Sequence, residues 1–61
     1  MAKDQAKKDK EYQSMITQAD NLLEKKDYAN AQAGYRKAIE IKPEEIYPKD
    51  QIKKIDDTLA E

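Results

Sequence analysis

The chain has no cysteine, no histidine, no tryptophan and no phenylalanine, and Gly34 is its only glycine. Without cysteine there is no disulfide framework and no thiolate metal site, and the redox compartment is left open. Without histidine as well, the commonest general base, nucleophile and transition-metal ligand types are missing. No apolar run approaches the roughly 20 residues that span a bilayer, and the N-terminus is charged where a signal peptide is apolar. A soluble chain is expected, with no further indication of compartment. Charge of one sign is lacking too: 12 basic residues face 13 acidic ones, a net charge of −1. No global field then exists to hold nucleic acid or an anionic membrane.

What is present is polar and helical. Charged residues make up 41 % of the 61-residue chain. Ile, Leu, Met and Tyr nevertheless recur with helical spacing, which separates the sequence from a disordered polar tract. A chain this short buries little apolar surface and is at most modestly stable.

The most legible stretch is Asp27 to Pro43, DYANAQAGYRKAIEIKP. Tyr28, Ala31, Tyr35, Ala38, Ile39 and Ile41 fall at steps of three and four, on one face of a helix. Asp27 suits the N-cap, where its carboxylate would accept from a first-turn amide. Pro43 stops the helix by pushing Lys42 out of helical geometry. The spacing predicts a helix over Tyr28–Ile41, with Gly34, at a cost of about 1 kcal/mol relative to alanine, read as a tolerated surface position ahead of a close helix contact.

Upstream, Tyr12, Met15, Ile16, Ala19, Leu22 and Leu23 make a second apolar stripe, and Lys25 and Lys26 place positive charge at the carbonyl end of its helix. The short connection through Lys26 and Asp27 makes the two helices antiparallel neighbours. Residues 1–11 carry no large apolar side chain after Met1 and read as a polar, frayed helical extension. After Pro43, Pro48 is suited to the first turn of a third helix and Asp50 to its dipole. Ile52, Ile55 and Leu59 form its stripe over about Pro48–Ala60. The expected fold is all-α: an antiparallel helical hairpin over residues 12–45 with a third packing helix in 46–61.

Residues 3–8 read KDQAKK and residues 49–54 read KDQIKK, five identities in six at a separation of 46. In that register Ile52, Ile55 and Leu59 correspond to Ala6, Asp9 and Gln13, so the earlier copy has lost the stripe. The third helix then reads as the opening of a second unit. On that reading the first eleven residues are expected to be the same element with no preceding unit to bury against, polar as a terminal repeat must be; the alternative is a solvated tail.

The hairpin resembles a tetratricopeptide repeat. Tyr28, Ala31, Tyr35, Ala38 and Pro43 have the motif's spacing of aromatic, alanine, aromatic, alanine and proline. Counting back, Met15 falls where tryptophan is common, Ala19 at the small residue of the helix crossing, and Leu22 at the large residue one turn later. Gln18 stands where leucine is usual and Lys26 where glycine is. A period of 46 would lengthen the first helix beyond the family's pattern. The resemblance implies protein or peptide binding along the first helix, at Gln13, Ile16, Asp20 and Leu23. Ile16 and Leu23 also suit core or inter-repeat contacts. The family's grip on a terminal carboxylate uses lysine and asparagine where this chain has Ile16 and Asp20, so that activity is not expected.

No catalytic constellation accompanies this pattern. Ser14 has no base at a useful spacing, and the pairs Glu44–Glu45 and Asp56–Asp57 point in different directions on a helix and lack a calcium-loop pattern. No glycine loop cradles phosphate. The expectation is a non-enzymatic module without cofactor, metal or small-molecule substrate. Its partner is a protein, a peptide, a neighbouring repeat or a second copy. The alternative is a structural mini-domain with no ligand of its own.

Overall fold

The computed structural model describes the backbone of residues 2–60 and the side chains of residues 7–60. Its elements are α1 (Ala2–Glu24), α2 (Tyr28–Ile41) and α3 (Tyr47–Ala60), with no strand among the described residues. The protein is all-α, three packed helices. Nothing between Glu11 and Tyr12 breaks the helix, so the polar extension and the first apolar stripe form one rod of about 34 Å at 1.5 Å per residue.

The turn between α1 and α2 explains how Lys26 stands in for glycine. Lys26 has φ 64°, in the left-handed region. Its amide donates to the Leu23 carbonyl and that of Asp27 to the Leu22 carbonyl, both at 2.9 Å. This pair of bonds is the Schellman closure, which satisfies carbonyls that the end of α1 would leave unpaired. Asp27 occupies the N-cap of α2, but its side chain makes no capping bond. The carboxylate instead accepts from Asn30 Nδ2 at 2.8 Å, one turn into the helix. At the far end the Lys42 amide still donates to the Ala38 carbonyl at 2.9 Å, and Pro43 follows where the helix has stopped. The Asp50 amide donates to the Ile46 carbonyl at 3.0 Å. Ile46 is thus the residue flanking α3, and Pro48 lies one position further into the first turn than its spacing predicts, where its missing amide hydrogen still costs nothing.

Ala19, Ala31, Tyr35, Ala38 and Ile55 are buried, with Pro48 fully enclosed beside them. Ile16, Leu22, Leu23, Tyr28 and Ile52 pack around this core. The small residues let the backbones of α1 and α2 approach. A Cβ built on Gly34 would sit 3.0 Å from Ala19 Cβ and 3.4 Å from Ala19 Cα. Gly34 is therefore not a spare surface position: it is half of the helix crossing, because α2 turns that backbone directly onto α1. α3 lies chiefly on α2 and meets α1 through the side chains of Tyr47 and Ile55.

The stripe of α3 is not buried along its whole length. Ile55 is 1 % exposed and Ile52 half-buried, whereas Leu59 is 56 % exposed. The expectation that Leu59 packs with Ile52 and Ile55 in one stripe is corrected on this point. Its spacing is right for the stripe, but it falls on the final turn of α3, outside the buried contact.

Candidate functional site

The face implied by the resemblance runs along α1 through Gln13, Ile16, Asp20 and Leu23. Gln13 is exposed. Ile16 and Leu23 are half-buried and packed against the core, which leaves them little surface for a partner. Asp20 is occupied in another way. Its Oδ1 accepts from the Tyr35 hydroxyl and from the Tyr47 hydroxyl, the latter at 2.9 Å. Three helices meet at that one carboxylate. Gln51 Nε2 lies 3.5 Å from the Tyr35 oxygen and 3.4 Å from that of Tyr47, long contacts that complete the cluster. The two tyrosine rings meet edge to face, with centroids 6.3 Å apart and planes at 73°, a preferred aromatic geometry.

The electrostatics keep both hydroxyls protonated. Burial raises the Tyr35 pKa well above its ordinary value, and donation to Asp20 raises it further, because a phenolate could not donate to a carboxylate. Tyr47 is raised by burial and by Asp20 in the same way. Tyr12 is raised chiefly by burial and then by the negative charge of Glu45. A spacing rule does not reveal this cluster, since hydroxyl and carboxylate are separated by 15 and 27 residues in the chain.

The side of the hairpin away from α3 carries two open hollows, about 350 and 260 Å³, that share Met15 and Lys37 in their walls. Met15, the residue in the motif's tryptophan position, is half-buried there, and Leu22 and Ile41 extend the apolar floor. Ser14 lies on the rim and its hydroxyl accepts from Gln18 Nε2 at 3.2 Å. No base stands beside it in that bond.

Elsewhere the motif residues fall as follows. Ala19, Ala31 and Tyr35 share the buried cluster, Leu22 and Tyr28 flank it, Ala38 is fully buried further along α2, and Pro43 is exposed at the end of α2. Asp9, the counterpart of Ile55 in the internal repeat, forms an ion pair with Lys42 at the end of α2. The Lys42 ammonium also stands 5.7 Å from the centroid of the Tyr12 ring, within cation–π range. That contact ties the polar half of α1 to the hairpin. Pairing of this kind leaves no periodic trace in a chain where charge is everywhere.

Among the described residues no group of three or more acidic, histidine or cysteine side chains could hold a metal ion. No helix among them is long and apolar enough to cross a membrane. The fold and this arrangement define an all-α protein built on a helical hairpin, with a third helix laid over its second. No family model, no curated protein and no solved structure matches the chain.

Proposed function

We propose that the chain is a non-enzymatic helical repeat module of the tetratricopeptide kind, working through protein contacts or as one unit of a stacked array. The observation that carries this reading is the seat of α3. It begins with the same KDQ-x-KK segment as α1, and it packs on α2 with Pro48 and Ile55 buried, as the long first helix of a following unit would. The crossing at Ala19 and Gly34, with Ala31, Tyr35 and Ala38 buried beside it, adds support. Repeat proteins gain stability from each added interface.

A tandem chain made of residues 1–60 followed directly by residues 15–61 keeps the 46-residue register and lets α3 continue as a second long helix. It is expected to melt in one cooperative transition about 10 °C above the single chain, as about 2 kcal/mol of added interface would give. Two separate transitions, or an unchanged midpoint, would overturn the repeat reading.

The burial of Ile55 also favours a second reading, in which three helices close a core that needs no partner. A melting temperature that stays fixed over a hundredfold range of protein concentration, together with a tandem chain no more stable than the single one, is its signature.

A further inference from the structure

We propose that the outer face of α2 is a helix-binding seat, and that α3 is its resident and displaceable occupant. The partner that the module takes is then an amphipathic helix with α3's own pattern. This rests on the repeat reading for its biological setting, but the seat itself is argued from contacts.

The floor of the seat is Ala31 and Tyr35, which share one buried cluster with Ile55 of α3. A small residue beside a ring makes a shallow trough into which a ridge of another helix fits. α3 enters it with Pro48, Ile52 and Ile55, apolar side chains at steps of four and three. Two polar clips fix its register: Gln32 Nε2 donates to Asp56 Oδ1 at one end, and the Tyr47 hydroxyl reaches Asp20 at the other. The determinants are therefore a proline-initiated helix with apolar residues four and seven positions on and an acid at the eighth. A helix laid in a groove by such anchors is a recurrent mode of recognition.

What makes α3 displaceable is how it is held. It packs chiefly on α2 and meets α1 through single side chains, Tyr47 at Asp20 and Ile55 in the cluster with Ala19, while α1 and α2 are joined along the Ala19–Gly34 crossing. The connection from Lys42 to Ile46 is a short non-helical turn, closed by the Glu45 amide donating to the Lys42 carbonyl at 3.1 Å, so α3 is joined to the hairpin without helical continuity. Leu59, on the final turn of α3, is 56 % exposed, so the helix is held over Tyr47–Ile55 and its last turn is free of the core. An element with few buried contacts opens at lower free energy than the structure around it.

Native-state hydrogen exchange on the unmodified chain tests the first half of the proposal. Amides of α3 are expected to be at least tenfold less protected than the best-protected amides of α1 and α2. Equal protection in all three helices would overturn it. The second half is tested with a labelled peptide of residues 46–61. Because the tethered α3 competes at an effective concentration of order millimolar, the peptide should show no binding to the natural chain below about 1 mM. It should bind saturably to the Ile55→Asp chain, shifting the amide resonances of Ala31, Gln32 and Tyr35. A peptide that itself carries Ile55→Asp should not bind. Failure of the natural peptide to bind an Ile55→Asp chain that remains helical would overturn the seat. If that chain is not helical alone, helicity regained on adding the peptide is the expected result, and no regain would overturn the seat. The tandem experiment fails or succeeds independently of these, so loss of the repeat reading and loss of the seat are told apart.

Discussion

Lys26 is the residue whose local conformation conflicts most with its type. At φ 64° a side chain with a Cβ is held where glycine is unstrained, and the Schellman closure requires that conformation. Lys26→Gly is expected to stabilise the protein by about 1 kcal/mol, read as a shift in the urea midpoint with unchanged slope. The Ala19–Gly34 contact makes a coupled prediction. Gly34→Val should cost about 3 kcal/mol by forcing the helices apart. Moving the methyl across the crossing with Ala19→Gly and Gly34→Ala together should be far milder than the sum of the two single changes in a double-mutant cycle.

Tyr35 sets a pH dependence. Its pKa in the folded chain lies above the ordinary value of 10.0, so the neutral hydroxyl is what folding favours. The stability this contributes is complete below pH 10 and is lost as pH rises through the folded value. Tyr35→Phe removes the bond to Asp20 and should cost about 1 kcal/mol at neutral pH. Above pH 10 its stability should fall less steeply than that of the natural chain. Urea midpoints for both chains between about pH 7 and 11, set beside the ultraviolet absorbance of phenolate, measure the convergence.

At the scale of the helices, the apolar periodicity and the stop signals were enough to place α2 at Tyr28–Ile41 and α3 within one residue of its observed start. These elements are legible because their information is local: a repeat of three and four, a proline, a short turn. The misreadings share one physical origin, which is that a residue type does not state which neighbour it meets. Gly34 is an unremarkable helix glycine until Ala19 lies 3.0 Å from where its Cβ would be. Asp27 is a plausible cap until Asn30 takes its carboxylate. Leu59 continues a correct period into the exposed final turn. Asp20 has the same character in the candidate face. Its place on α1 follows from the spacing, but its capture by Tyr35 and Tyr47 depends on how three helices meet.

For the whole molecule, the unequal helix lengths matter most. α1 has 23 residues against 14 in each of α2 and α3, so its polar half projects beyond the hairpin. Asp9 with Lys42 is the ion pair found on that half among the described side chains, and Asp9 is 53 % exposed. Such a pair is worth no more than about 1 kcal/mol. Removing residues 1–9, and that pair with them, should accordingly lower helical circular dichroism by the share of those residues and leave the melting temperature within about 8 °C. A collapse of the transition would show that the projecting half carries stability beyond that ion pair.

The same projection gives the molecule principal extents of 45 × 20 × 12 Å. Friction in solution depends on the longest dimension more than on mass. A monomer of this shape therefore elutes from a sizing column ahead of a sphere of equal weight, at a volume easily taken for a pair of chains. Light scattering or sedimentation equilibrium, which weigh the particle whatever its outline, are the measurements by which this protein's state of association is to be counted.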